Sequence, residues 1–163
     1  MADYLTWQPG RTFDLITMIM CDFSALSPVQ RTGLLGSVAS WLAPGGAFLF
    51  DVHALPFLAS RQEGKHRDEH PIGGFWSAGP YSETIETLLY PAERVSLDRY
   101  LIEEPDRTWT VWNWLQTYDP ASLAETLEHA GLRVDTVMGD VAGRPYDPTA
   151  HEFAVVARST RSL

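Results

Sequence analysis

Two short apolar runs end in residues able to do acid–base or nucleophilic chemistry. Residues 13–20 lead into Met20-Cys21-Asp22-Phe23, and residues 47–52 lead into His53 behind Asp51-Val52. If the runs are neighbouring parallel strands, both sets lie just past a carboxyl edge, in the crevice where open α/β sheets hold ligands. The His53 imidazole titrates near neutrality and could orient a substrate or accept a proton, with Asp22 as the second candidate base. Each has a plainer reading: Cys21 as a small buried hydrophobe, Asp22 as a loop or cap residue, His53 as a satisfied structural histidine.

Three further groups are chemically suggestive. Trp76, Tyr81, Trp109, Trp112, Trp114 and Tyr118 could form an aromatic cage around a small substrate or a sulfonium, although aromatic residues also pack strand faces for ordinary reasons. His66 and His70 stand four apart around Asp68 and Glu69, a spacing that would put two nitrogens on one helical face for a metal. A third close ligand and a helical context are both missing, so this stretch reads as a solvated charged loop and no metal is expected. Arg144 could clamp a carboxylate, and pairing with Asp140 or Asp147 is the simpler account.

The elements that must position these groups follow from pattern. The run from Phe13 is nearly continuously apolar, as a strand covered on both faces would be. Ser27-Pro28 supplies an N-cap with proline at the first helical position, and Leu34, Leu35, Val38, Trp41 and Leu42 form one helical stripe ending near Ala43. Pro44-Gly45-Gly46 then turns the chain into a second strand at 47–52, completing a βαβ unit. Residues 54–80 read as mostly loop, with a helical turn at 55–61. Runs at 82–90, 95–103 and 108–118 form an antiparallel meander whose last strand shows Trp112, Trp114 and Tyr118 on one face. Asp119-Pro120 opens a helix stopped by Gly131, and strands at 132–138 and 152–158 close the chain. The expected class is α/β, a mixed sheet with an inserted meander. It forms a single domain over 1–163, made of a βαβ part (1–53), a loop and meander insertion (54–118) and a C-terminal αββ part (119–163).

Composition narrows the function. The 163 residues, 45% hydrophobic and 20% charged, suit one globular core. The formal net charge of −9 disfavours a phosphate-tracking surface, so nucleic acid is a poor partner. A single cysteine cannot form an internal disulfide, no basic and apolar leader is visible, and the longest uncharged apolar stretch is far too short to span a bilayer. A cytoplasmic protein without membrane attachment is the expectation.

Leu42-Ala43-Pro44-Gly45-Gly46 leading into Ala47-Phe48-Leu49-Phe50-Asp51 resembles class I S-adenosylmethionine-dependent methyltransferases, whose helix before the fifth strand ends in a similar L-x-P-G-G turn. Phe13-Asp14-Leu15-Ile16 resembles the start of their fourth strand. Tyr118-Asp119-Pro120, Ala130-Gly131-Leu132 and the closing Glu152-Phe153-Ala154-Val155-Val156-Ala157-Arg158 are similar to their C-terminal half. The resemblance implies a partial Rossmann-like methyltransferase fold, S-adenosylmethionine as cofactor, and transfer of the sulfonium methyl to a nucleophile on a small molecule. Asp3-Tyr4 resembles the acidic motif that meets the adenine amino group, so Asp3, Tyr4, Met20 and Cys21 become cofactor-binding candidates. Phe23, Trp76, Tyr81, Trp112, Trp114 and Tyr118 become substrate-binding candidates.

The family's glycine-rich loop, and the acid that ends its second strand, have no counterpart here. Gly10, Gly33 and Gly36 are the only glycines before the Pro-Gly-Gly turn. A second expectation is therefore a truncated, non-catalytic methyltransferase-like module serving dimerisation or ligand binding, and a third is a fragment of a longer product. In the family the first strand pairs beside the fourth. Without it, residues 13–20 become an open apolar edge, and such an edge recruits a partner. A homodimer is expected, through that edge or through the Trp-rich meander.

Overall fold

In the computed structural model, residues 3–160 are described. Strand β1 (Phe13–Met18) passes through a 3-10 turn (Asp22–Ala25) into helix α1 (Pro28–Trp41) and strand β2 (Leu42–His53). Helix α2 (Leu55–Ser60) leads to β3 (Gly64–His70), β4 (Tyr81–Tyr90), β5 (Val95–Glu103) and β6 (Thr108–Gln116). Helix α3 (Pro120–Glu128), β7 (Leu132–Met138) and β8 (Glu152–Ser159) follow.

Both longer helices start where the side chains demand it. Ser27 Oγ accepts from Gln30 N at 3.3 Å while Gln30 Oε1 accepts from Ser27 N at 2.9 Å, a reciprocal capping box with Pro28 in the first turn. Asp119 and Ser122 repeat the device at α3, with Asp119 Oδ1 accepting from Ser122 N at 2.8 Å and Ser122 Oγ from Asp119 N at 3.1 Å.

The two sheets have different characters. One is mixed, in the order β1-β2-β8-β7, with β1 parallel to β2 and β8 antiparallel to both its neighbours. Phe48, Phe50 and Val52 of β2 stand opposite Ala157, Val155 and Phe153 of β8, and all six are buried. Leu34, Leu35 and Val38 of α1 and Leu123 and Leu127 of α3 join them in one core. The other sheet is antiparallel, in the order β3-β4-β5-β6. The architecture is thus α/β with two sheets, and the expected meander stands as a sheet of its own rather than as part of one mixed sheet.

Several boundaries differ from expectation. The β2 strand begins at Leu42, because Phe13 pairs with Leu42 before the register jumps to Leu15 with Ala47. The Pro-Gly-Gly stretch occupies that irregularity, and a Cβ on Gly46 would sit 2.8 Å from Phe13 O and 2.9 Å from Ala43 O, so only glycine fits. Strand β1 stops at Met18, short of the expected Met20. Residues 64–70, expected as loop, form β3, an exposed edge strand held by backbone pairing to β4. His66 and His70 therefore lie on a strand and not on a helix, and His70 Nε2 lies 3.1 Å from Glu83 Oε1. As expected, Arg144 pairs with Asp140, at 3.3 Å. No helix among the described residues is long and apolar enough to cross a membrane.

Two contacts tie the sheets together. Past β6, Tyr118 N donates to His53 O at 2.9 Å and Tyr118 O accepts from Leu55 N at 3.1 Å. Arg61, just after α2, forms an ion pair with Asp98 of β5, which also accepts from Thr87 Oγ1 at 2.7 Å.

Phe50 is fully buried, with ring centroids 4.4 Å from Phe48 and 4.9 Å from Phe23. Phe50→Ala should lower the unfolding free energy by about 3–5 kcal/mol through lost transfer energy and a residual cavity. Val29→Ala, at a side chain 83% exposed on α1, should change it by less than about 0.5 kcal/mol. Urea denaturation followed by circular dichroism measures both.

Candidate functional site

The chain leaves β1 through an unusual backbone. Met20 and Cys21 both adopt the left-handed conformation, with φ of 73° and 57°. Residues other than glycine are held there only when their surroundings over-determine it. The Asp51 carboxylate on β2 does so: Oδ2 accepts from Met20 N at 3.3 Å and Oδ1 from Cys21 N at 2.8 Å. The buried Cys21 Sγ lies 3.7 Å from Glu152 Oε2. Burial first, then the Asp51 and Glu152 charges, push its thiol far up, so it stays protonated and unreactive.

The 3-10 turn that follows separates two depressions. Asp22, its first residue, lines a groove of about 410 Å³ along β1 together with Tyr4, Trp7, Phe13, Leu15 and Ile19. Trp7 is held there against Phe13 and Trp41, with centroids at 6.0 and 5.8 Å. Burial, then Asp22 and Asp3, raise the Tyr4 phenol above its ordinary range. Ser24 and Ala25, two and three residues on, line a cleft of about 710 Å³ closed on its far side by Tyr90, Trp112 and Trp114. Trp112 and Trp114 are 54% and 46% exposed, which leaves their rings open to a ligand. Arg99 lies over the Trp112 ring at 5.7 Å, and Tyr90 packs on Trp114 at 5.6 Å.

The expected site residues are thus partly gathered and partly dispersed. Tyr4 and Asp22 share the groove. Asp3 does not line it, since its Oδ1 accepts from Leu5 N at 2.9 Å and caps its own turn. Met20 is exposed, whereas Cys21 is buried. Phe23 has no exposed surface, and packs on Phe50 and Tyr118 as core rather than against a substrate.

The six aromatic residues make no single cage, because strand alternation splits them. Trp112 and Trp114 project from one face of the antiparallel sheet. Trp76 packs with Trp109 and Tyr100 on the other, its Nε1 donating to Glu83 at 2.7 Å. Tyr81 is buried there, stacked on His70 at 4.4 Å. Tyr118 is buried between the sheets and accepts from Arg31 Nη1 at 2.5 Å. Burial outweighs the Arg31 charge and pushes its phenol up to about 12.

His53 lies apart from Asp22 in its surroundings. Its backbone N–H donates to Ser24 Oγ at 3.0 Å, and its ring stacks on Phe57 at 4.1 Å. Burial lowers its pKa, opposed by Glu152 and assisted by Arg61. Sequence reasoning missed Glu152, which starts β8 directly opposite His53, and Arg31, which reaches across to Tyr118 and Gln116. Only the register and the packing bring these residues to the site. Among the described residues no three His, Cys, Asp or Glu side chains are grouped to hold a metal ion.

No protein-family profile matches the chain, and no curated protein matches it. Solved structures do. The CcbJ methyltransferase from Streptomyces caelestis aligns at 14% identity and a TM-score of 0.69, over 98% of this chain and 62% of that one. An S-adenosylmethionine-dependent methyltransferase from Clostridium acetobutylicum aligns at 13% identity and 0.67, over 97% and 63%. The sugar N-methyltransferase KedS8 from a Streptoalloteichus species aligns at 19% identity and 0.58, over 95% and 60%. What is shared is the fold, and the chain spans about three fifths of the length of these proteins.

Two outcomes follow from this geometry. Asp51→Ala strips two amides of a charged acceptor and frees two left-handed residues, and should destabilise the fold by about 2–4 kcal/mol in urea titrations. His53 should titrate below its ordinary value of 6.5 in a proton NMR titration. A lowered folded-state pKa means that the neutral imidazole is favoured by folding. The stability it contributes is present above 6.5 and is lost as the pH falls through that value toward the folded pKa. Unfolding free energies at pH 7.5 and pH 5 should accordingly diverge less in His53→Gln than in the parent.

Proposed function

We propose that this chain carries the acceptor site and the adenine edge of an S-adenosylmethionine-dependent methyltransferase acting on a small molecule, on the carboxyl half of a Rossmann-like sheet. The observation that supports this most is the pair of ligand-sized depressions on either side of the 3-10 turn, with Asp22 facing one and Ser24 the other. A transfer between two bound molecules needs such neighbouring sites, and Asp22 and Ser24, two residues apart in one short turn, keep the two depressions side by side. The likeness to methyltransferase structures favours the same reading.

The groove suits the flat, weakly polar end of the cofactor. Tyr4, Trp7 and Leu15 offer apolar and aromatic walls, and Asp22 offers a carboxylate acceptor. None of the groove's lining residues is cationic, so the carboxylate of the methionine end needs groups from outside it. When bound, the cofactor would supply an electrophilic methyl on its sulfonium. The protein's own part is positioning: Trp112 and Trp114 flank the acceptor while the 3-10 turn sets the spacing of the two molecules. His53 is kept in its basic, neutral form by burial and is our candidate for proton removal, with Asp22 assigned to the cofactor side.

Among the described residues strand β1 has a neighbour on one side only, and Leu15 on it is 56% exposed. Our reading includes association of two chains, through this edge or through the Trp-rich sheet, and this would complete the groove.

Calorimetric titration with S-adenosylhomocysteine tests the proposal. Saturable binding near micromolar, about −8 kcal/mol, is the expected result, with Trp7→Ala weakening it about tenfold. A folded sample that gives no heat overturns the enzymatic reading and leaves the non-catalytic module.

A further inference from the structure

The cleft beneath Trp112 and Trp114 is lined by a positive charge, Arg31, that no Asp or Glu among the described residues meets within ion-pair distance. Eight arginines, at 61, 67, 94, 99, 107, 133, 144 and 158, each have an Asp or Glu partner within ion-pair distance. Arg31 has none among the described residues, in a chain with 21 acids against 12 bases. It is half-buried, and among the described residues it is the only cation lining the cleft.

Its partners are neutral and fixed. Nη1 donates to Tyr118 Oη at 2.5 Å and Nη2 to Gln116 Oε1 at 3.4 Å. The Gln116 amide is itself oriented, because its Nε2 donates to Glu93 O at 2.9 Å and Arg94 O at 3.1 Å, and this turns its oxygen toward Arg31. Tyr118 stays a neutral phenol well above neutral pH and cannot serve as the counter-ion. A guanidinium has five N–H donors in a rigid fork, and these two bonds leave the rest available for an oxyanion.

The rest of the cleft says what kind of anion would fit. Tyr90, Trp112 and Trp114 present rings on which a flat body can stack. Among the described residues Glu93 is the one acid in the lining; Arg31 attracts an oxyanion while Glu93 opposes a second negative charge, so a monoanion fits better than a dianion.

We propose that this cleft selects a methyl acceptor that is a flat or ring-shaped small molecule bearing one carboxylate, with Arg31 holding the carboxylate and Trp112 and Trp114 stacking on the ring. This rests on the cleft being the acceptor side, as argued above, and it names the substrate class of that site.

Binding without cofactor separates the two ideas. Benzoate, benzamide and phenyl phosphate are titrated into the full chain, followed by tryptophan fluorescence and calorimetry. Benzoate should bind saturably, and the neutral amide at least about tenfold more weakly. Arg31→Gln should abolish that preference, Arg31→Lys should keep part of it, and Trp114→Ala should weaken benzoate and benzamide alike. Circular dichroism of each variant checks folding, and Arg31→Lys keeps the test decisive if Arg31→Gln does not fold. Equal binding of benzoate and benzamide, a preference that survives in Arg31→Gln, tighter binding of phenyl phosphate than benzoate, or an unaffected Trp114→Ala would each overturn the inference. None of these readings depends on S-adenosylhomocysteine, so loss of the cofactor site and loss of the carboxylate site are seen separately.

Discussion

The Asp51 carboxylate accepts two backbone N–H groups at the point where the chain leaves β1, and the placement of everything near the site follows from that contact. A strand ending in ordinary extended backbone would run on past the sheet edge. Two successive left-handed residues instead fold it back over the end of β2. Such residues cost about 1–3 kcal/mol each, and a carboxylate bonding to both amides is the kind of charged acceptor that offsets this. The returned chain buries Phe23 in the core, and that anchor fixes the short turn whose two sides face the groove and the cleft.

The second sheet is placed by a different kind of contact. Apolar packing alone is non-directional and would allow the sheet to slide. Tyr118 bonds by its backbone to His53 and Leu55, and Arg61 reaches Asp98, which Thr87 also holds. These directional contacts fix which face of β6 looks toward α1. Strand alternation then exposes Trp112 and Trp114 there and retires Trp76 and Trp109 to the far side, where both indole N–H groups find glutamates.

Legibility from sequence followed the range of the interactions. The βαβ unit was readable because its signals are local: a serine cap with proline, a helical stripe, and a Pro-Gly-Gly break. The strands of the meander were equally clear from β-branched and aromatic runs between turns. Strand β3 was not, because Gly-Lys-His-Arg-Asp-Glu-His has no apolar alternation and is held by backbone pairing to β4. Position alone points Phe23 at the crevice, and only its packing on Phe50 and Tyr118 shows that it turns inward. Arg31 and Glu152 gain their meaning from partners 85 to 131 residues away in sequence, which no local pattern could reveal.

The position of β8 between β2 and β7 has a consequence for how the molecule is made. Strands β1 and β2 can pair as soon as both have left the ribosome, but among the described residues β7 has no neighbour in its sheet except β8. The faces of Phe48, Phe50 and Val52 that meet β8 therefore wait through about a hundred further residues of synthesis, at roughly 5–20 residues per second. For those seconds β2, paired with β1 on one side, has its other edge open, and the antiparallel sheet, whose strands follow one another along the chain, can form first. The half-made protein should thus be a finished meander joined to an unfinished sheet, and in that interval it is most in need of a chaperone.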